Sequence, residues 1–300
     1  MKVTFLGTSS SFPTKDRSHP AILLNYNGES FLFDCGEGTQ RQFRISKESP
    51  MKVSKIFLSH WHGDHVFGLP GLLESMSMSR RITTLNVYGP IGTAKNFKKM
   101  FEAFNIKLSF RIKIHEFTAK KPKKIVDGEN YEVYAYNLIH SIPCIGYYFK
   151  EKSKKRLKKD ILSKFGLENN PIVKKLLTGK SIETNGEIIT PKKATYNVEG
   201  KKISIILDTE YFKELEDFVK NSDLLIAEGT FSNKLKEEAK KKGGHLTIKQ
   251  AAKIAKNSNS KQLAICHLSQ RYKNTKELEK EAESVFKNTI FAKDFSTISI

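Results

Sequence analysis

Three imidazoles and one carboxylate fall within the six positions His60-Trp61-His62-Gly63-Asp64-His65. The cluster follows the apolar run Val53–Leu58, whose Ile56 and Phe57 read as a buried strand, and precedes Val66–Met78, which reads as a helix. A strand-to-helix loop at the carboxyl end of a strand is where open α/β sheets hold ligands. A tight loop turns alternate side chains inward, so His60 and His62 can converge on one metal while Asp64 and His65 face a second. Imidazole and carboxylate suit zinc and similar divalent ions, whose bound water loses its proton near neutral pH. Solvated surface histidines are the plain alternative, but only eight histidines exist in 300 residues and three of them crowd around one aspartate.

Two metals need more ligands than one loop supplies. His140, Asp208 and His267 each follow an apolar run, respectively Val133–Ile139, Ile203–Leu207 and Gln262–Cys266, and each is costly at a core position if unpaired. Singly, each reads as a satisfied histidine or a turn aspartate. Together they complete two coordination shells, with the Asp208 carboxylate bridging. Two ions about 3.5–4 Å apart hold a hydroxide for in-line attack on phosphorus or on a carbonyl carbon.

The elements that must position these residues follow an α/β rhythm. Val3–Gly7, Ala21–Tyr26 and Phe31–Asp34 read as strands, the last two joined by an Asn27-Gly28 hairpin turn. A strand ending at Tyr88-Gly89-Pro90, a helix near Ile91–Phe104 and strands around Ile112–Phe117 and Tyr131–Leu138 come next. After residue 202, strands at Ile203–Leu207, Leu224–Ala227 and Gln262–Cys266 alternate with helices near Phe212–Val219, Asn233–Lys242, Thr247–Asn257 and Thr275–Phe286. Thr289–Ala292 and Thr297–Ile300 close the chain. Between them, Lys150–Lys202 carries 15 Lys/Arg against 6 Asp/Glu. Lys154-Lys155-Arg156 and Lys158-Lys159 read as lying on a helix there, and Ile161, Leu162, Phe165, Leu167, Val173, Leu176 and Leu177 predict a small folded excursion rather than a linker.

The net charge is +20, with 52 Lys+Arg against 32 Asp+Glu, which favours a polyanionic partner, nucleic acid before an anionic membrane surface. Lysines spread over helix faces such as Lys234–Lys242 also simply solvate the surface. No apolar run reaches membrane-spanning length, and Met1–Phe5 reads as a strand rather than a signal peptide. Cys35, Cys144 and Cys266 are scattered and odd in number, as in a reduced cytoplasmic protein. Cys266 neighbours His267, so a ligand role is open beside that of a small buried hydrophobe.

The HWHGDH signature with His140, Asp208 and His267 resembles the metallo-β-lactamase superfamily, and within it the match is closest to tRNase Z, which removes the 3′ trailer from precursor tRNA. FLGTSSSFPT, FLFDCGEGTQRQ (Phe31–Gln42), GDHVFGLPGLL, HSIPCIGYYF (His140–Phe149), ILDT (Ile206–Thr209), AEGTF, GGHLT around His245 and HLSQRY (His267–Tyr272) carry the resemblance across nearly the whole chain. It implies a four-layer αβ/βα sandwich of two mixed sheets with an inserted basic arm: a first αβ half over residues 1–150, the arm over 151–190 and a βα half over 191–300. It implies two zinc ions (Mn, Fe or Co also fit), one on His60, His62 and His140 and one on Asp64, His65 and His267, with Asp208 bridging. It further implies Asp64 as general base, His245 as donor to the leaving oxygen, and Ser269 and Arg271 at the scissile phosphate, where an Arg fork suits the anion. A helix-capping or supporting role just before Thr247 stays open for His245. Lys154, Lys155, Arg156, Lys158 and Lys159 would contact tRNA phosphates. The arm departs from the family in lacking a glycine- and proline-rich tip, with only Gly166, Pro171 and Gly179 among its lysines, and the proline–lysine–glycine loop before Asp208 is replaced by Asn197-Val198-Glu199-Gly200-Lys201.

The expected activity is cleavage of precursor tRNA after the discriminator base, leaving a tRNA 3′-hydroxyl, through a metal-bridging hydroxide. The expected state is a cytoplasmic homodimer without membrane contact, with the apolar Gly68–Leu73 as a candidate contact. A metallo-hydrolase of small phosphodiesters or lactones shares the metal site but needs no basic arm. A non-catalytic RNA binder would not retain the whole ligand set.

Overall fold

The computed structural model describes all residues, 1–300. One seven-stranded sheet runs, from edge to edge, Thr297–Ser299, Lys2–Gly7, Ala21–Tyr26, Glu29–Phe33, Val53–Phe57, Leu85–Pro90 and Ile112–Phe117. Its first four strands pair antiparallel and Glu29–Phe33 through Ile112–Phe117 pair parallel, so the sheet is mixed. The second sheet runs Thr289–Phe291, Leu263–Cys266, Leu224–Glu228, Lys202–Ile206, Cys144–Glu151, Tyr131–Leu138 and Lys123–Asp127, and its first four strands are parallel. Buried apolar runs such as Leu224–Ala227 suit parallel strands covered on both faces.

The sheets meet through aromatic rings. Phe31 packs on Phe149 with centroids 5.5 Å apart, and Phe33 and Phe57 pack on Tyr147 at 6.1 and 5.4 Å. The outer face of the first sheet is covered by helices Thr39–Ser46, Leu69–Met78 and Thr93–Phe104, which contribute Phe43, Leu69, Leu72, Leu73, Met76 and Phe97 to one core. Helices Glu214–Phe218, Ile248–Asn257 and Lys276–Glu283 cover the second sheet with Leu215, Ile248, Ala252, Ala255 and Leu278. The result is the four-layer sandwich expected.

Several local expectations change. The stretch after the histidine cluster is two helices, Gly63–Val66 and Leu69–Met78, so Asp64 and His65 sit in a one-turn helix of their own. Helix Thr39–Ser46 and strands Lys123–Asp127 and Cys144–Glu151 have no counterpart in the periodicity; in Cys144–Glu151 the residues Cys144–Tyr147 are all buried, so no alternation marks it. Leu69, Leu72 and Leu73 are wholly buried in the chain's own core and are not free for a partner; Phe67, Met78 and Ile82 beside them are exposed.

Asp127–Glu132 and Lys150–Lys201 form a separate compact unit. Lys154–Leu157 is a strand rather than part of a helix: it pairs antiparallel with Thr195–Val198, and the helix starts only at Lys159. The lysines have high helix propensity, and tertiary pairing overrides it. The unit has its own core of Leu162, Leu167, Val173, Leu176, Ile182, Ile189 and Ala194. Leu177 points outward instead.

Candidate metal centre

Polar residues at the carboxyl ends of neighbouring strands converge on one edge. Asp34 follows Glu29–Phe33, the HWHGDH loop follows Val53–Phe57, Asp208 follows Lys202–Ile206, and His267 follows Leu263–Cys266. Asp34, Asp208 and His267 adopt φ of 56°, 50° and 55°, an uncommon left-handed backbone that turns each chain sharply at the sheet edge. Glycine makes close loop packing possible: a Cβ on Gly36 would stand 2.3 Å from the Asp64 carbonyl oxygen. That contact brings the Asp34-Cys35-Gly36 turn against the metal loop, where Cys35 N–H donates to His65 C=O at 2.8 Å.

Hydrogen bonds on the outer ring nitrogens set the tautomers. His65 Nδ1 donates to Asp34 Oδ2 at 2.7 Å and His140 Nδ1 to Gly244 C=O at 3.2 Å. Thr230 Oγ1 donates to Glu228 Oε2 at 2.5 Å, so it accepts from His267 Nδ1 at 3.0 Å. Ser59 Oγ donates to Asp34 Oδ2 at 2.8 Å and accepts from His60 Nδ1 at 2.9 Å. Each Nε2 is thereby left with a lone pair facing inward, which is how partners behind a metal-ligating histidine work.

Those inner atoms crowd together. His60 Nε2 and His140 Nε2 lie 2.9 and 3.2 Å from His62 Nδ1, and His65 Nε2 lies 3.3 Å from His267 Nε2. Asp208 Oδ2 is 3.7, 3.5 and 3.9 Å from Nε2 of His60, His65 and His140, while Oδ1 is 3.2 Å from His267 Nε2. Asp64 Oδ2 is 3.4 and 3.5 Å from Nε2 of His65 and His267. Ligands about 2.0–2.1 Å from a tetrahedral ion stand about 3.3 Å from each other, so these separations are those of a coordination shell. Asp208 Oδ1 is buried and accepts no hydrogen bond, since His267 approaches without the required alignment. Facing lone pairs and an orphaned carboxylate oxygen are explained together by a bound cation, so the residues present fit divalent metal.

Burial and neighbouring charges set the ionisation of these groups. Burial lowers His60 well below the usual imidazole range, and neighbouring imidazoles add to the shift. His62 is lowered for the same reasons. Burial opposes charge on Asp64, but hydrogen bonds from His267 and His65 hold it well below the carboxylate range. Burial likewise opposes ionisation of Asp208, yet His267 and His65 keep it an anion. His65 is raised despite burial by Asp208 and Asp34, so a proton on its Nε2 holds the inward position that a cation would compete for.

The structure brings together His60, His62, His140 and Asp208 in one set of close donor atoms and Asp64, His65 and His267 in another. A third set joins Asp208, Glu228, His245 and His267. There Glu228 is already engaged by Thr209 N–H at 2.6 Å, by Thr230 and by His245 Nδ1 at 3.0 Å. Burial disfavours the His245 imidazolium, but the Glu228 carboxylate outweighs it and raises the pKa to about 9. Cys266 is outside all three sets; its Sγ faces Ala227 C=O, and burial raises its pKa far above the thiol range. Ser269 accepts from Arg271 Nε at 3.3 Å, and the Arg271 fork is paired with Glu238. Lys154, Lys155, Arg156 and Lys159 are exposed and Lys158 is half-buried. They belong to the arm unit, where Lys155, Arg156, Lys158 and Lys159 line a groove of about 820 Å³ beside exposed Tyr196.

Asp34, Ser59, Glu228 and Thr230 are the supporting residues absent from the sequence reading. Asp34 and Glu228 carry the signal that points to Asp208, a carboxylate closing an apolar strand, and Ser59 and Thr230 carry none.

A family model described as anti-Pycsar protein Apyc1 matches residues 1–111. Ribonuclease Z of Methanococcus maripaludis strain C5 is 40% identical over 94% of this chain and 90% of its own length. The crystal structure of the short form of human tRNase Z superposes with a TM-score of 0.73 at 29% identity, covering 100% of this chain and 99% of that one. The metallo-β-lactamase fold protein YhfI of Bacillus subtilis gives a TM-score of 0.71 at 20% identity, over 99% and 98% of the two chains. With strand-end donors converging in a four-layer sandwich and a full-length relative at 40% identity, the chain belongs to the ribonuclease Z family, on the metallo-β-lactamase fold.

Proposed function

We propose that the chain is a metal-dependent endoribonuclease that cuts precursor tRNA after the discriminator base and leaves a tRNA 3′-hydroxyl. The observation that carries it is the inward-facing set of five imidazoles and two carboxylates that includes Asp208, in a chain whose relatives are named ribonuclease Z and tRNase Z. His60, His62 and His140 would hold one ion and Asp64, His65 and His267 the other, with Asp208 between them. Zinc suits the donors, and manganese, iron or cobalt also fit. Divalent ions held there would make a nearby water more acidic and neutralise charge on phosphate oxygens.

Asp64 is the more open of the two carboxylates, at 11% side-chain exposure against 4% for Asp208, and serves as proton acceptor toward attacking water. Water oxygen bonds to phosphorus as the bond from phosphorus to the tRNA 3′-oxygen breaks. His245, protonated at neutral pH and oriented by Glu228, gives its proton to that oxygen. Ser269 and Arg271 receive the phosphate oxygens. The arm's cations Lys154, Lys155, Arg156, Lys158 and Lys159 bind the tRNA backbone at a distance in sequence from the chemistry, where Tyr196 adds a ring for stacking.

A second copy completes the functional unit, with exposed Phe67, Met78 and Ile82 as the apolar surface it covers. Three unpaired buried cysteines and a tRNA substrate support a cytoplasmic location. The deciding assay presents the metal-loaded protein with one 3′-extended tRNA and one small phosphodiester. Cleavage at the discriminator with slow turnover of the small ester is expected; the reverse preference would make the chain a small-molecule hydrolase.

A further inference from the structure

All three guanidinium nitrogens of Arg271 are engaged. Nε donates to Ser269 Oγ, and Nη1 and Nη2 donate side by side to Glu238 Oε2 and Oε1 at 3.1 and 2.7 Å. The guanidinium also lies 5.0 Å from the centroid of Phe231, whose ring stands 6.0 Å from His245. Two parallel N–H···O bonds are how arginine binds a phosphodiester, so Glu238 occupies the seat that an RNA phosphate would take. Glu238 Oε1 also accepts from Lys242 Nζ at 3.0 Å, three residues before His245. The helix carrying Glu238, Lys236–Lys241, is followed by Gly243 and Gly244 at φ of 93° and 82°, a turn that leads directly into His245. Hydrogen bonds from Arg271 and then Lys242 hold the Glu238 carboxyl down to about 2, so it is an anion at any working pH.

Resting on the endoribonuclease reading above, we propose that Glu238 is a carboxylate stand-in for the substrate phosphodiester. It holds Arg271 and Lys242 in a phosphate-binding arrangement when no RNA is present, and a phosphate displaces it on binding. The pair is about one-third exposed on each side, 35% for Arg271 and 33% for Glu238, so an ion as strong as phosphate breaks it at small cost. Glu238 is thus a specificity residue acting through Arg271: it weakens binding of any ligand too weakly anionic to displace it, and leaves the chemical step alone.

The test uses the metal-loaded full chain with one 3′-extended tRNA at fixed salt, reading kcat and KM from cleavage and, in parallel, Kd from filter binding. Glu238→Gln should lower KM and Kd about two- to fivefold, the range an exposed ion pair accounts for, with kcat within about twofold. Glu237→Gln, the same charge change on the adjacent exposed residue, should leave both constants unchanged. The gain should vanish when Glu238→Gln is combined with Arg271→Ala. Unchanged or weaker binding in Glu238→Gln, an equal gain in Glu237→Gln, or a gain that persists without Arg271 overturns the stand-in. Absence of cleavage in the wild type, with the Arg271-dependent tightening intact, would instead remove the endoribonuclease reading and leave the phosphate stand-in.

Discussion

Asp208 is buried, turned by a left-handed φ, and has one oxygen facing three imidazoles and the other facing His267. A carboxylate so placed links the two ligand sets, so its loss should weaken both. Against the two ions per chain proposed for the wild type, Asp208→Ala is expected to retain fewer than one after dialysis, measured by elemental analysis; two retained ions would refute the bridge. His245→Ala should lower the cleavage rate by roughly 10²–10⁴-fold, the range of general acid catalysis, with KM little changed. The sign of its pH dependence follows from Glu228. That carboxylate raises the His245 pKa to about 9, so the donor is charged below that pH and the rate should fall as pH rises through it. Glu228→Gln removes the raising partner, and the alkaline limb of the pH–rate profile should move to lower pH. A limb that stays in place would assign it to another group.

At the scale of elements, the same physical situation recurs at several strand ends: an apolar strand, then a polar residue at its carboxyl end. Asp34 and Glu228 obey it as well, but they orient histidines, accepting from His65 and His245. Ligand and supporting carboxylate differ only in what faces them. The turn at Gly36 also tests how these loops hold one another. Its missing Cβ would meet the Asp64 carbonyl and the His19 Cβ at 2.3 and 2.4 Å, both rigid neighbours. Gly36→Ala should therefore destabilise by about 1–3 kcal/mol, as overpacking does. A lower Tm together with reduced metal content is the expected result, and a wild-type Tm with full metal would show that the loops accommodate the methyl.

For the whole molecule, the arm unit has its own apolar core and its ends are paired, Lys154 standing opposite Val198. Replacing residues 154–198 by a short Gly/Ser linker therefore closes a narrow gap, whereas a cut inside 189–194 would strip core from the unit. Such a variant should keep both metals and its turnover of a small phosphodiester. Cleavage of precursor tRNA should collapse through lost binding, and the salt dependence of log KM should flatten by about 0.7–0.9 for each phosphate contact removed. Unchanged tRNA processing with an unchanged salt slope would reassign the arm's charge to solvation.

From sequence alone, residue types and strand-end positions picked out His60, His62, Asp64, His65, His140, Asp208 and His267, whose donor atoms the structure brings close together. Alternating or continuous apolar runs likewise sufficed for most strands of both sheets. The arm's folded nature was legible in Leu162, Phe165 and Val173, but not its form: Lys154–Leu157 became a strand because Thr195–Val198 offers it a hydrogen-bonding edge forty residues away. Only the tertiary structure decided which carboxylate serves as support, Asp34 behind His65 and Glu228 behind His245, and that Glu238 occupies the Arg271 fork. Those roles rest on a side chain's neighbours across the sheet edge, and such neighbours are remote in sequence and leave no period in it.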